Sequence, residues 1–289
     1  MTTRERRSTG GQELSGLPGV GGLRLLQRRW PEAAPPARGS VVIVHGLAEH
    51  GGRYEHVATH LNRAGFSVWA LDHRGHGGSE GRRGHVERFA QYVADLETLR
   101  LHAQAALPGR APVALGHSLG GLIAASHAAS HPGAWAGLAL SAPALGPPPA
   151  SAALVLAAKV LSRAAPRLGV HTLDSATVSR DPAVVAAYER DPLVHRGALS
   201  ARLGVEVLRA VAALRRDAAA VTAPALLLQG EADRLVEPIR ARVVFDSFGS
   251  SDKTVRCYPG LYHEVFNEPE REAVLGDLVD WLTVRFPPL

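Results

Sequence analysis

PVALGHSLGGLIAASHAAS, residues 112–130, carries the reading of the whole chain. Its first part is a short apolar β-type run and its second a continuous helical pattern, joined at Gly116-His117-Ser118-Leu119-Gly120. A serine between two glycines at a strand-to-helix junction fits G-x-S-x-G, in which a sharp turn lifts the hydroxyl above a sheet. Gly116 and Gly120 let backbone approach where a Cβ would clash, and the following helix turns its positive end toward developing negative charge. The motif alone is weak, because Gly77-Gly78-Ser79-Glu80-Gly81 fits it too. Ser79, however, lies in a polar glycine-rich loop beyond its strand, and only Ser118 has strand, turn and helix together. Ser118 is therefore the expected nucleophile, and the backbone N–H of Leu119 an expected oxyanion donor.

The same alternation runs along the chain. Apolar runs LRLLQRR (23–29), SVVIVHG (40–46), FSVWALD (66–72), AGLALSAP (136–143), APALLLQG (223–230) and TVRCYPG (254–260) alternate with helical patterns near 54–64, 85–106, 119–130, 238–248 and 269–286. Runs such as VVIV and ALLL are apolar at consecutive positions, as strands buried on both faces are. The fold class is α/β: a mostly parallel central sheet flanked by helices, in the α/β-hydrolase arrangement. From 146 to 219 no strand signal appears, and proline-rich turns with Ala/Leu/Val helices read as a helical cap inserted into a core of 21–145 and 220–289. Residues 1–20 are polar and read as a flexible tail. Within the cap, Arg180-Asp181-Pro182 and Arg190-Asp191-Pro192 each place Asp before Pro, which an N-cap followed by proline at the first helical position explains.

Composition narrows the function classes. With 289 residues, 46% of them hydrophobic and 20% charged, the chain can bury a sizeable core and is neither disordered nor fibrous. The net charge is +5, but the arginines are scattered and no basic helix, zinc spacing or RNA-type aromatic motif accompanies them, so no nucleic acid partner is expected. The lone Cys257 excludes an intrachain disulfide and a cysteine-built metal site, and its apolar setting reads as core. His56 and His60 have helical i, i+4 spacing without the glutamate of H-E-x-x-H, and no phosphate-binding glycine motif follows a strand. Neither metal nor cofactor is expected. The apolar stretch ASAALVLAAKVLSRAA is short and interrupted by Lys159 and Arg163, so it does not read as a membrane span. The polar N-terminus lacks a signal-type apolar region, and the expected location is cytoplasmic.

Chain order picks the partners of Ser118. In this fold the acid and then the histidine follow the serine, on loops after late strands. His263 follows TVRCY, precedes the last helix and is the only histidine after the cap, whereas His195 lies within it. The acid belongs after APALLLQG, in Gly230-Glu231-Ala232-Asp233-Arg234, where motif position favours Asp233 over Glu231. The loop after SVVIV, His45-Gly46-Leu47, offers the backbone N–H of Leu47 as a second oxyanion donor.

The stretches HGLAEHGGRY (45–54), LDHRGHGGSEG (71–81), GHSLGG, YERDPL (188–193), LLLQGEADRLV (226–236) and SSDKTVRCYPGLYHE (250–264), in this order across roughly residues 25–286, resemble monoacylglycerol lipases. The resemblance implies a serine esterase that cleaves a lipid ester to free fatty acid and glycerol through an acyl-enzyme. It also implies that Glu49 and Arg53 lie near the glycerol end, with His117 and Tyr188 bordering the alcohol pocket. The residues themselves leave other readings open. Glu49 and Arg53 could simply pair and cap the following helix, and Tyr188 could pack within the cap. The substrate could be a lysophospholipid or a generic carboxylic ester, and a non-catalytic binding module on the same fold is a remote alternative. The apolar cap implies an acyl-chain tunnel and transient peripheral contact with membranes or micelles.

Overall fold

The computed structural model describes residues 7–9, 11–31, 37–146 and 152–289. The N-terminal part runs β1 (Arg7–Thr9), β2 (Gln12–Pro18), β3 (Arg24–Trp30), β4 (Gly39–Val44), α1 (Glu55–Arg63), β5 (Phe66–Leu71), α2 (Ala90–Ala106), β6 (Val113–His117), α3 (Leu119–Ser130) and β7 (Gly137–Ser141). An inserted stretch follows, with α4 (Ala152–Ala164), β8 (Gly169–His171), α5 (Pro182–Arg190), β9 (Leu199–Ser200) and α6 (Ala201–Asp217). The chain then returns through β10 (Ala225–Gly230), α7 (Pro238–Asp246), β11 (Lys253–Tyr258) and α8 (Arg271–Arg285).

Among the described residues, nine strands form one sheet in the order β1-β2-β3-β5-β4-β6-β7-β10-β11. The first three neighbouring pairs are antiparallel and the remaining five parallel. Every residue of β4 is buried, and its side chains alternate between the two sides of the sheet. Val42 and Val44 join an apolar layer with Leu96, Leu122 and Leu203 from α2, α3 and α6, while Val41 and Ile43 join another with Leu61 and Leu278 from α1 and α8. That two-sided burial is why the central strands read as continuous apolar runs. No helix among the described residues is long and apolar enough to cross a membrane.

Four features differ from the sequence reading. Where a tail is expected over 1–20, Arg7–Thr9 and Gln12–Pro18 are strands, the second paired along its length with β3. Its side chains are mostly half-buried, so it needs no apolar alternation; Leu17 alone is buried. The inserted stretch is not purely helical, since β8 and β9 pair antiparallel within it. Asp181 does cap α5, accepting from the Ala183 N–H at 2.8 Å ahead of Pro182, but Asp191 ends that helix instead of starting another. It closes a turn on the Leu193 N–H at 2.8 Å and pairs with His50 Nε2, also at 2.8 Å. Finally, Cys257 is exposed rather than in the core, because β11 is the edge strand and its apolar sequence neighbours do not cover it.

Candidate active site

The turn between β6 and α3 is possible because of glycine at 120. A Cβ there would lie 1.8 Å from the Val44 carbonyl oxygen and 2.5 Å from that of His45, so only glycine lets the helix start press against the end of β4. Ser118 sits at φ 52°, ψ −117°, a conformation that costs a non-glycine residue about 1–3 kcal/mol. Its surroundings hold it there. The Ser118 N–H donates to the Ser141 carbonyl at 3.0 Å, and the Ser118 carbonyl accepts from Gly121, Leu122 and Ala144 at 3.0, 3.2 and 2.9 Å.

His263 and Asp233 come from the loops after β11 and β10. The imidazole Nδ1–H donates to Asp233 Oδ2 at 2.8 Å. The carboxylate is fixed from three further directions: Oδ1 accepts from the Leu235 and Val236 N–H groups at 2.8 and 3.0 Å, and Oδ2 from Gln229 Nε2 at 3.2 Å. Burial disfavours both charged forms, but their mutual attraction and hydrogen bond outweigh it, holding His263 above its ordinary value and Asp233 below its own. Glu231, the weaker candidate, is exposed.

A second charged cluster stands beside the first. Glu49 Oε1 accepts from the Gly46 N–H at 2.6 Å and the Tyr54 hydroxyl at 2.7 Å, while Oε2 accepts from Arg53 at 2.7 Å. Arg53 also makes a bidentate pair with Glu264, at 2.6 and 2.7 Å, and its guanidinium lies 4.8 Å from the centre of the Tyr188 ring. His117 faces His263 with ring centroids 4.7 Å apart. Burial first, and the neighbouring His263 second, push its pKa down to about 4, so it is neutral near pH 7.

These groups meet at a cavity of about 250 Å³. Leu47, Glu49, His117, Ser118, Tyr188, His263 and Glu264 line it together with the apolar Ala144, Leu173, Val178, Val207 and Leu235. Asp233 stands behind His263, Leu119 opens α3 directly after Ser118, and Arg53 lies behind the two glutamates rather than in the wall. A larger, more open cleft of about 650 Å³ lies between α2, α3 and α6, but none of Ser118, Asp233 and His263 borders it. The smaller cavity is the one that Ser118 and His263 border.

The family model described as serine aminopeptidase S33 matches residues 35–270. A monoacylglycerol lipase of Mycolicibacterium smegmatis is 44% identical over 265 residues, 91% of this chain and 94% of that protein. The chain belongs to the monoacylglycerol lipase family. Human monoglyceride lipase is 38% identical over 278 residues, 95% of this chain and 91% of the human one. The crystal structure of a monoacylglycerol lipase from Paleococcus ferrophilus matches with a TM-score of 0.81 at 37% identity, covering 90% of this chain and 99% of that one. As a member of this family the chain is a serine hydrolase of the α/β-hydrolase fold.

Three residues at the site of this family member escape a sequence reading: Gln229, Tyr54 and Glu264. Glu264 has a signal, since it follows His263 directly. Its partner, Arg53, is 211 residues away in the chain, and only the fold reveals the pair.

Proposed function

We propose that this chain hydrolyses monoacylglycerols to glycerol and free fatty acid through an acyl-enzyme on Ser118. The observation that carries the reading is a single cavity that combines Ser118 and His263 with an apolar wall and a cluster of hydrogen-bonding side chains. An acyl chain suits the first of these surfaces and glycerol hydroxyls the second.

In the mechanism, Asp233 holds His263 as the Nδ1–H tautomer, which leaves Nε2 as the base. Nε2 takes the Ser118 proton as Oγ attacks the ester carbonyl. The backbone N–H groups of Leu119 and Leu47 receive the resulting oxyanion, a kind of donor worth about 2.7–4 kcal/mol each. Collapse breaks the C–O bond, and the glycerol oxygen leaves with the proton from His263. Water, deprotonated by the same nitrogen, then attacks the acyl carbonyl, and the fatty acid departs. Glu49, Tyr188 and His117 serve the glycerol end directly, and Arg53 acts there by fixing Glu49 and Glu264.

The Mycolicibacterium smegmatis and human relatives are named for monoacylglycerol cleavage, whereas the family model takes its description from an aminopeptidase. The deciding experiment sets a monoacylglycerol series against lysophosphatidylcholine, triolein and an aminoacyl arylamide. Monoacylglycerol should give the highest kcat/KM, and a clear preference for any of the other three would overturn the proposal.

Contact with a lipid surface belongs to the same reading. Leu156 and Val160, one turn apart on α4, are 63% and 59% exposed, and Leu168 and Val170 follow at 51% each. Such a strip can rest on an interface and receive an ester that must leave a membrane or micelle to enter the cavity.

A further inference from the structure

Both chain neighbours of His263 are tied to one short piece of the insertion. On one side, the Glu264 N–H donates to the Val178 carbonyl at 2.8 Å. On the other, the Tyr262 N–H donates to Glu268 Oε1 at 3.3 Å, and the same oxygen accepts from the Arg180 N–H at 2.9 Å. Arg180 Nε closes on the second carboxylate oxygen at 2.7 Å, and the Ser179 hydroxyl donates to the Asn267 carbonyl at 3.3 Å. Residues 178–180 therefore run along the loop after β11 and bond to it at each step.

That loop needs outside support. It leaves the edge strand of the sheet, which is paired on one side only, and turns at Gly260 with φ 76°. Glu268 is completely buried, and the one cation paired with it among the described residues is Arg180. A buried carboxylate stripped of its cation is costly, so the pair resists opening, and the segment between Val178 and Arg180 cannot leave the loop without breaking it. The same segment reaches the acid. Val178 belongs to a small buried cluster with Tyr188 and Val194, against which Leu235 packs, and the Leu235 N–H donates to Asp233 Oδ1 at 2.8 Å.

We infer that Arg180 is a positioning residue for His263: its bonds to Glu268 press residues 178–180 onto the loop after β11 and keep the imidazole bonded to Asp233 and facing the cavity. The base is in place only while this part of the insertion is seated. This positioning presupposes the proposed role of His263 as the base, and adds what holds it there. Arg180 does not border the cavity and touches no substrate; it acts through Glu268 and the loop.

The test compares Arg180→Met, Arg180→Lys, Glu268→Gln and the double variant of Arg180→Met with Glu268→Gln. Arg285→Met is the control: Arg285 pairs with Asp252 at 2.7 and 2.6 Å away from the cavity wall, so its loss should lower Tm alone. For each protein, kcat, KM and the pH profile are measured on a soluble monoacylglycerol well below the lowest Tm, together with the rate of fluorophosphonate labelling. A displacement of about 1 Å can cost on the order of 10²-fold, so kcat and labelling should both fall by roughly 10- to 100-fold in Arg180→Met, with KM nearly unchanged. The acid limb of kcat/KM should move down, because an imidazole that slips from Asp233 while still buried loses what raises its pKa. Glu264, Glu49 and His117 also face the ring, and Arg180→Met removes none of them. Lys keeps the cation and should recover most of the rate and the limb. The double variant should be no worse than Arg180→Met, since both groups act through one contact. If Arg180→Met does not fold, Glu268→Gln, which keeps a carbonyl oxygen for the Tyr262 N–H, carries the same comparison. Folded variants with the parent's kcat and limb, losses no larger than those of Arg285→Met, or a Lys variant as damaged as Met would overturn the inference. A fully active His263→Ala would instead show that the base itself is misassigned and would reject both readings.

Discussion

Arg53→Met keeps a long apolar stem and removes the cation between two buried carboxylates. Glu49 would retain the Gly46 N–H and the Tyr54 hydroxyl, and Glu264 would retain Asn267 Nδ2 at 2.8 Å. The side chains of Glu49 and Glu264 are only 4% and 6% exposed, so water does little to replace the guanidinium. Breaking a buried ion pair from one side costs about 3–5 kcal/mol, and Arg53 serves two partners. At about 2–4 °C per kcal/mol for a domain near this size, Tm should drop by roughly 6–20 °C at pH 7. The pH dependence carries the sharper signature. In the parent, burial raises the Glu264 pKa, but Arg53 outweighs it and holds the group below its ordinary 4.5. Its contribution is therefore present above pH 4.5 and lost as pH falls through the folded value. Without Arg53, burial is unopposed, the folded value rises above 4.5, and stability is instead lost as pH climbs past it. The deficit should thus be smallest on the acid side of the parent's folded value, below pH 4.5, and widen toward neutrality, and Glu264→Gln in the Arg53→Met background should recover part of it at pH 7. Thermal scans of the parent, Arg53→Met and the double variant at one scan rate and several pH values measure this. A deficit below about 1 kcal/mol at pH 7, or one that does not change with pH, would refute the buried-charge account.

Ser118→Ala should abolish fluorophosphonate labelling and lower turnover on the order of 10³-fold or more, with the fold intact; persistent labelling would move the nucleophile elsewhere. Asp233→Asn should lower kcat about 10⁴-fold. Its pH profile should also shift: the acid limb of kcat/KM in the parent reflects a His263 held above 6.5 by Asp233 against burial, and without that carboxylate burial prevails and the limb moves down. Tyr188→Phe should reduce kcat/KM on monoacylglycerol by about 5- to 150-fold more than on a nitrophenyl ester of the same acyl chain, the equivalent of one buried hydrogen bond of about 1–3 kcal/mol; equal losses would remove Tyr188 from glycerol recognition. Arg53→Met, standing behind the wall, should depress both esters together. Replacing both Leu156 and Val160 by Ser should weaken cosedimentation with anionic vesicles while leaving hydrolysis of a soluble ester unchanged; undiminished cosedimentation would remove α4 as the contact.

Much of the core is legible in sequence because burial writes itself there. Strands covered on both faces must be apolar throughout, and the turn that bears Ser118 needs glycine where two backbones nearly touch, so both leave marks that a reader of one chain can find. The order of Ser118, Asp233 and His263 follows from the topology, and the fold brings the last two within 2.8 Å. What escapes depends on position in the sheet or on distant partners. Gln12–Pro18 is polar yet a strand, because its pairing with β3 is a backbone matter that side chains near a sheet edge need not announce. Cys257 has apolar neighbours in sequence but no strand beyond its own to shelter it. Asp191 looks like a second copy of Asp181; only the approach of His50, 141 residues earlier, gives it a different partner.

The insertion is fastened unevenly. Its second half is laced to the core: the Val178 carbonyl accepts from the Glu264 N–H at 2.8 Å, the His195 N–H reaches the Ala48 carbonyl at 2.8 Å, and the Ser200 N–H reaches that of Gly84 at 2.8 Å. Arg180 adds a bond to Glu268 at 2.7 Å. The first half, by contrast, is tied chiefly to the insertion itself: α4 rests on α6, β8 pairs with β9, and the Ala201 and Arg202 N–H groups donate to the Leu168 and Pro166 carbonyls at 2.9 and 3.1 Å. The two halves of the insertion thus meet at the β8–β9 pair, and only the second is anchored directly to the core loops. Residues 178–200 behave as part of the scaffold, and transplanting them from a relative would tear at the loops that carry His263 and Leu47. Residues 152–173 hold mainly to α6 and β9, so replacing them would strain the insertion's own joints, and the cavity wall at His171 and Leu173, before it reached the central sheet.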